Sequence, residues 1–299
     1  MAAGIGGTYS YDDQANREDL LDIITNLDYK EYQLMSGLPT GTADNILHQW
    51  LKDTLKTPGT NAYVEGVDAS YQDRTDPTRL TNWTQIVRIG FSVSDTERRI
   101  VSAGFNDRYQ YESTKAMKEW KQDAEFAVLR GSLACGTGSA SRQMKGIKNW
   151  VANTTSSSGV SMTETMLNDY MQAVWDDGTQ VNAIYAPMYL KRKISGFTAG
   201  STKFTQSDDK RLTNAVDVYQ ADAASMVKLF KHRFMSGQSG DINYDLLGIN
   251  EEFFRIDYLR KPIVRELAKS GDATNGEIVG ELTVAALHDN AGFLTQRLL

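Results

Sequence analysis

The sequence predicts an α+β fold with one long helix, and three observations lead to this prediction. The segment over 107–132 has the periodicity of an amphipathic helix. Segments rich in apolar residues, such as 278–287, are typical of strands. A helix–strand–helix pattern spans 161–195 and adds an α/β region. The 299 residues are enough for about two domains.

Composition argues against several classes of protein. Lys and Arg number 32 against 38 Asp and Glu, and the formal net charge of −6 opposes a nucleic-acid or anionic-membrane binder. The sequence lacks the apolar run of about 18 residues that a transmembrane helix needs. Met1–Asn16 has neither the basic nor the apolar region of a secretory signal. The single cysteine, Cys135, cannot form an internal disulfide.

The N-terminal part of the chain is predicted to be an extended arm. Met1–Ser10 is small, Gly-rich and uncharged, as terminal arms often are. A short helix is expected over Arg17–Leu27, where apolar residues recur on one face. Ile46–Leu55 is strand-like, although its periodicity fits a helix as well.

Residues 57–104 predict a long hairpin. Its two strands are expected over Ala62–Asp68 and Asn82–Ser94, with the polar, turn-rich segment Ala69–Arg79 as the tip. An isolated two-stranded hairpin is marginal in water. Because this one also carries apolar side chains, we expect it to pack against a partner surface.

The helix over Asp107–Ser132 is the strongest predicted element, and about 26 residues at 1.5 Å each would span roughly 39 Å. Its apolar stripe consists of Met117, Trp120, Ala124, Ala127 and Val128. The opposite face is predicted to carry Lys115, Lys118, Glu119, Lys121 and Glu125. Two i,i+4 pairs on this face, Lys115–Glu119 and Lys121–Glu125, would each contribute about 0.3 kcal/mol.

The second half of the chain predicts an α/β unit. Ser161 and Glu164 form a capping box that begins a helix ending at Gly178. Val181–Tyr185 is a predicted buried strand, and a second helix follows over Met188–Ser195. Further strands are predicted over Val216–Ala221, Ser225–Phe234, Ile249–Leu259 and Ile278–Leu287.

A search for catalytic chemistry gives no site above background. Gly136–Gly138 lacks the Gly-Lys-Ser/Thr of a phosphate loop, and Cys135 has no His close in sequence to activate it. His48 and His232 are interpreted as strand residues, and metal-binding spacings are absent from the sequence. We therefore expect no enzymatic activity, no cofactor and no metal, with an α/β enzyme centred on 160–235 as the competing hypothesis.

Several short motifs occur in a specific order along the chain. They are Arg17–Leu20, Val64–Asp68, Asn82–Ile86, Leu129–Gly138, Met144–Ile147, Val181–Pro187, Ala268–Asp272 and Ile278–Glu281. In this order, and together with the arm, hairpin and long helix, they resemble the Hong Kong 97-type major capsid proteins of tailed bacteriophages, especially the group that includes podovirus shells. The resemblance covers roughly residues 17–299.

The resemblance implies a division of the chain into named regions of that capsid fold. It implies an N-terminal arm over 1–56, an E-loop hairpin over 57–104, a peripheral or P-domain with a spine helix over 105–152, an axial or A-domain over 153–249, and returning P-domain strands over 250–299. It also implies an icosahedral shell of hexamers and pentamers that encloses double-stranded DNA without reading its sequence. An encapsulin-type compartment with protein cargo is the alternative within the same fold.

One departure from some members of this fold concerns cross-linking. Lysine is absent between Lys56 and Lys115, so an isopeptide bond from the E-loop is not expected. We expect charge pairs between subunits instead. The predicted intersubunit contacts are Glu65, Arg74, Arg79, Arg88, Arg98 and Arg99, together with Tyr9 and Tyr11 of the arm.

The resemblance also implies partners and a location. Scaffolding, portal and cementing proteins are expected partners, and the stretch before the first predicted helix is too short for a fused scaffold. The subunit is expected in the virion, after assembly in the host cytoplasm, without contact to a membrane.

Overall fold

The fold was analysed in a computed structural model of the chain. It describes residues 32–69, 71, 74–100, 107–197, 203–204, 218–220, 226–235, 244–269 and 271–299. The predicted helix over Arg17–Leu27, with Tyr9 and Tyr11, lies outside the described residues.

The described residues form helices and strands in mixed order. The helices are α1 (Gln33–Gly37), α2 (Arg108–Arg130), α3 (Ile147–Trp150), α4 (Glu164–Asp176) and α5 (Met188–Gly196). The strands are β1 (Thr40–Thr42), β2 (Leu47–Lys52), β3 (Thr78–Trp83), β4 (Gln85–Ser94), β5 (Asn153–Ser156), β6 (Ala183–Ala186), β7 (Lys203–Phe204), β8 (Val218–Gln220), β9 (Met226–Lys231), β10 (Tyr244–Ile249), β11 (Phe254–Glu266), β12 (Ala273–Ala286) and β13 (Gly292–Leu298).

The predicted long helix is confirmed as α2, whose 23 residues span about 34 Å. Asp107 caps it by accepting from the backbone N–H of Tyr109 at 2.9 Å. Its apolar stripe packs on a four-stranded sheet with the order β1-β11-β12-β4. The placement of Glu125 on the charged face was wrong, because its side chain is 1% exposed and faces the protein interior.

A second sheet has seven strands in the order β5-β13-β10-β6-β9-β8-β7. The predicted buried strand is confirmed as β6, which lies antiparallel to β10 and parallel to β9. The predicted cap of α4 was wrong. Thr163 is the cap, since its hydroxyl, rather than that of Ser161, accepts from the N–H of Met166.

The predicted hairpin strands required correction. Residues 62–68 lie outside any strand, and the hairpin is instead formed by β2 and β3, with Leu47 opposite Trp83 and Lys52 opposite Thr78. The alternating Ile46–Leu55 segment is thus a strand. The predicted second strand, 82–94, is interrupted at Thr84, after which β4 leaves the hairpin and pairs with β12. Among the described residues, no strand pairs with the 62–68 segment. Its chain turns at Gly66, where φ is +85°, and the N–H of Val67 donates to the carbonyl of Val64 at 3.4 Å.

The C-terminal strands also differ from prediction. The segment predicted as one strand over 249–259 is divided by a 3₁₀ turn at Glu251–Phe253, where Asn250 accepts from the N–H of Glu252. The strand predicted at 278–287 is confirmed and is longer, as β12. β13 belongs to the seven-stranded sheet, so the chain crosses back between the sheets after β12.

The loop that follows α2 is closed by two glycines. Gly146 donates its N–H to the carbonyl of Gly131 at 2.8 Å. A Cβ on Gly131 would lie 2.4 Å from the oxygen of Met144, and one on Gly146 would lie 2.5 Å from the nitrogen of Gly131. The backbones can meet at this distance only because both residues lack a side chain.

Two clusters of buried apolar residues form the core. One lies between α2, the four-stranded sheet and the adjoining end of the seven-stranded sheet. The other lies between the seven-stranded sheet and the helices α4 and α5. Among the described residues, the helices are all too short or too polar to cross a membrane.

Candidate intersubunit interface

The loop of residues 53–77, which connects β2 to β3, exposes an unusual amount of apolar surface. Tyr71 is 99% exposed, Leu55 97% and Val64 77%. Val67 and Tyr63 are also more than half exposed, and the loop curves around an open hollow of about 980 Å³. Apolar groups that the chain itself leaves uncovered in this number mark a surface for a partner.

The base of this loop is held firmly by side chains. Trp50 of β2 donates from Nε1 to the carbonyl of Ala286 at 2.7 Å. Asn82 of β3, which is fully buried, donates to the carbonyl of Val284 at 2.7 Å and accepts from the N–H of Lys145 at 2.8 Å. The direction of the loop is therefore set by contacts to β12 and to the loop after α2.

An ion pair adds to this anchor at the end of β2. Lys52 donates to the carboxylate of Asp289 in the turn between β12 and β13. Burial raises the pKa of Asp289, but the hydrogen bond and charge of Lys52 outweigh it and hold the pKa below its usual value. Burial, together with the charge of Lys52, lowers the pKa of the neighbouring His288. Asp289 is therefore ionised at neutral pH.

The structure separates the predicted contact residues into two groups. Arg88 lies 3.9 Å from Glu277, and Arg98 lies 3.5 Å from Asp107, so both have ion-pair partners within the chain. The second group is exposed and makes no ion pair within the described part of the chain. It consists of Glu65, Arg74, Arg79 and Arg99.

A charged cluster joins the end of β4 to the β11–β12 connection. Asp95 accepts from Lys269 and, at 2.9 Å, from the hydroxyl of Thr274. The hydrogen bond from Lys269, followed by that from Thr274, lowers the pKa of Asp95. Arg98 reaches the same Thr274 hydroxyl at 3.4 Å. These charged side chains already interact with one another beside β4 and β12, so they are less available for ion pairs with a neighbouring subunit.

Glu281 is the centre of a buried charge network that the sequence did not reveal. It accepts from the hydroxyl of Thr84 at 2.7 Å, from Arg142 and, at 3.1 Å, from Nε of Arg260. Burial raises the pKa of Glu281, but the hydrogen bonds from Thr84 and Arg142 outweigh it, and the pKa is lowered. The network fastens the hairpin, the loop after α2 and β11 to one carboxylate.

Two of the histidines lie against buried carboxylates, and the cysteine lies at the surface. Nε2 of His48 lies 2.9 Å from the buried Asp257, and Nε2 of His232 lies 2.9 Å from the buried Glu125. Cys135 is exposed. Among the described residues, clusters of His, Cys, Asp or Glu that could hold a metal ion are absent.

Comparison with known proteins identifies the family. Residues 7–298 match the family described as SU10 major capsid protein. The chain belongs to this family of phage major capsid proteins. The major capsid protein of Escherichia phage Phieco32 is 28% identical over 123 residues, which is 41% of this chain and 35% of that relative. The aligned part therefore spans about a third of that relative's length.

Solved capsid structures share the fold of this major capsid protein. A structure of Gordonia phage Cozz has a TM-score of 0.67 at 12% identity and covers 100% of this chain and 98% of the other. The capsid of an empty GTA particle has a TM-score of 0.67 at 10% identity, with coverage of 98% and 100%. The holo-SrpI encapsulin complex of Synechococcus elongatus PCC 7942 scores 0.61 at 12%, with coverage of 95% and 92%. The predicted Hong Kong 97-type fold is confirmed.

Proposed function

We propose that this major capsid protein assembles with copies of itself into hexamers and pentamers, which close into an icosahedral shell around double-stranded DNA. The observation that carries the proposal is the family match over residues 7–298. The uncovered apolar side chains of the 53–77 loop support it, because they require a partner and the repeated subunit is the partner always present.

In this proposal the 53–77 loop is the E-loop and lies on a neighbouring subunit. Its base is fixed by Trp50 and Asn82, so the loop is presented in one direction without being covered by its own chain. Burying Leu55 and Tyr71 on a neighbour would remove apolar surface from water at about 25 cal/mol per Å². Each subunit gives one loop and receives another, which is a head-to-tail contact that can close into a ring.

Exposed charged residues in the loop and in the segments that follow it would then orient the contact. The residues proposed to form ion pairs with a neighbouring subunit are Glu65, Arg74, Arg79 and Arg99. Arg88 and Arg98 already have ion-pair partners within their own chain. Exposed ion pairs contribute about 0–1 kcal/mol each. Specific docking therefore depends on apolar contacts, and the charges select the register between subunits.

The remaining regions are assigned on the same basis. The four-stranded sheet with α2 as spine helix is proposed as the P-domain, and the seven-stranded sheet with α4 and α5 as the A-domain. The arm proposed over 1–56 would end earlier, because β1 and β2 already belong to the described sheets. β13 would be counted with the A-domain.

The overall charge fits a container for DNA. A net charge of −6 gives little attraction for phosphate, so densely packed DNA would be held by the wall without being bound tightly to it. Separate scaffolding, portal and cementing proteins are proposed partners in building such a shell. An encapsulin-type compartment is the second candidate, since an encapsulin shares the fold.

The test is to express the full chain, alone and with the neighbouring genes of its source, and to image the largest particles by electron microscopy. Angular shells or rings of five and six subunits are expected. Nuclease-resistant DNA inside particles from infected cells would support the capsid, whereas particles filled with protein would favour the compartment. A compact monomer with a protease-resistant 53–77 loop under all conditions would contradict both.

A further inference from the structure

Glu125 has an unusual position for a charged residue on a long helix. Its side chain is 1% exposed, although it lies on the helix that crosses the four-stranded sheet. A buried carboxylate is costly unless hydrogen bonds satisfy it. Its partners come from two separate parts of the chain, α1 and the seven-stranded sheet.

The first partners belong to α1, the first described helix. Oε1 of Glu125 accepts from the N–H of Leu34 and Oε2 accepts from the N–H of Met35, both at 2.9 Å. Backbone N–H groups at the start of a helix have no acceptor within it. Tyr32, at the cap position of α1, supplies no side-chain acceptor, so Glu125 of α2 caps this helix from outside.

The second partner belongs to the seven-stranded sheet. Nε2 of His232, directly after β9, lies 2.9 Å from Oε1 of Glu125, and the imidazole is 3% exposed. Nδ1 has no hydrogen-bond partner among the described residues. Both oxygens of Glu125 already accept from backbone N–H groups, so in this arrangement Nε2 of His232 is assigned as a donor to Oε1. Oε1 is therefore shared between His232 and the N–H of Leu34.

The other end of α1 also touches the seven-stranded sheet region. A Cβ on Gly37 would lie 2.7 Å from Oε1 of Glu251 and 3.2 Å from the hydroxyl of Tyr185. Tyr185 of β6 donates to the same Glu251 oxygen at 2.6 Å and meets the ring of His232 edge-on at 6.2 Å. The start of α1 is thus held by Glu125 of α2, and its end lies against Tyr185 of β6 and Glu251 of the 3₁₀ turn.

We propose that Glu125 is a relay that couples the position of residues 33–37 to the seven-stranded sheet. Oε1 of Glu125 contacts both His232 and the N–H of Leu34. A shift of either residue therefore moves the oxygen to which the other is hydrogen-bonded. Leaving an acceptor without its partner at a site this buried is costly. The coupling is reciprocal, so a displacement of α1 would also change the position of His232 at the end of β9.

The test is hydrogen exchange at the Leu34 and Met35 amides in the full, unassembled chain, so it does not depend on the proposed shell. His232→Phe keeps a ring but removes the donor to Glu125. We expect these two amides to exchange about ten-fold faster, the scale of coupling within one hydrogen-bond network. His232→Gln keeps a side-chain N–H donor and is expected to restore most of the protection.

Two controls separate a relay from a general loss of stability. Asp245→Asn weakens a different contact to the seven-stranded sheet, that with Lys148, and is expected to leave the Leu34 and Met35 amides unchanged. In a Glu125→Gln background, His232→Phe should cause little further increase in the exchange rates of the Leu34 and Met35 amides. The proposal would be overturned if His232→Phe raised the exchange rates of these amides equally in the wild-type and Glu125→Gln backgrounds. It would also be overturned if His232→Phe left the rates unchanged. If Glu125→Gln does not fold, the comparison of His232→Phe with His232→Gln decides.

Discussion

The indole of Trp120 occupies the space that a side chain at Gly280 would need. A Cβ on Gly280 would lie 2.5 Å from Cζ2 of Trp120, which is 1% exposed. The same indole donates from Nε1 to the carbonyl of Val87 at 2.8 Å. Four residues earlier in β12, a Cβ on Gly276 would lie 2.7 Å from the hydroxyl of Tyr109. The two glycines therefore allow α2 to lie directly on the sheet.

Substituting Gly280 tests this packing. Gly280→Ala is expected to lower the free energy of unfolding by about 1–3 kcal/mol, because the added methyl group forces Trp120 away from β12. Gly59→Ala is the matched control, since a Cβ there would meet nothing within 4 Å. Denaturant unfolding of the unassembled chain measures both. Equal midpoints for Gly280→Ala and the wild type would contradict the packing.

The Glu281 network predicts a specific sensitivity to acid. The pKa of Glu281 is below its ordinary value of 4.5 in the folded chain. A lowered carboxyl pKa stabilises the fold above the ordinary value, and this contribution is lost as the pH falls towards the folded pKa. Glu281→Gln is therefore expected to be less stable at pH 7 and to lose less stability below pH 4.5.

Unfolding midpoints from pH 7 to pH 3 measure this difference. Glu252→Gln, at an exposed carboxylate within the 3₁₀ turn, is the control and should follow the wild type closely. If Glu281→Gln has the same pH profile as the wild type, the network does not contribute to acid sensitivity.

The 53–77 loop should matter for assembly and not for folding. Replacing both Leu55 and Tyr71 by Ser is expected to leave the unfolding midpoint of the single chain unchanged, because both side chains are almost fully exposed. The yield of rings or shells should fall at least ten-fold. Met226→Ser, at an exposed site on β9, is the control, and sedimentation of assembled material is the measurement.

Charge reversal tests the proposed orientation of the contact. Replacing Arg74 and Arg79 by Glu is expected to reduce assembly, since neither side chain has an ion-pair partner within the described part of its own chain. The defect should shrink in high salt, because salt screens the interaction between exposed charges. Light scattering at low and high ionic strength follows it, and a defect independent of salt would speak against charge pairing.

Mature particles are expected to contain no covalent links from the E-loop. Lysine is absent from residues 57–114, so beyond Lys56, at its start, the 53–77 loop offers no amine for an isopeptide bond. After denaturing electrophoresis, the shell protein should run as one band near 33.3 kDa. A ladder of multiples, confirmed by mass spectrometry to start from the loop, would refute this expectation.

The sequence predicted well the elements that can be recognised from residues close together in the chain. The spacing of Trp120, Ala124 and Val128 is enough to place α2, and the apolar run around Ile278 is enough to place β12. The order of the motifs along the chain also indicated the capsid fold, which the comparisons confirm.

The hairpin was predicted at a shifted position because strand pairing is not a local property. The residue types of the 62–68 segment favour a strand about as much as those of β2. It is β2, however, that pairs with β3. The side chains that hold β2 and β3 reach Ala286 and Val284, which lie about two hundred residues further along the chain. Such partners cannot be recognised from the neighbouring sequence.

The sequence alone determined the long helix, the stretch without lysine over 57–114, the acidic balance and the family resemblance, because each depends only on residue types and short spacings. Only the tertiary structure decided which charges are buried. Glu125 and Glu119 were both predicted on the charged face of the helix, yet one is enclosed by α1 and His232 while the other pairs with Lys115. The physical reason is that burial depends on what packs against a helix face, and those partners are distant in the chain.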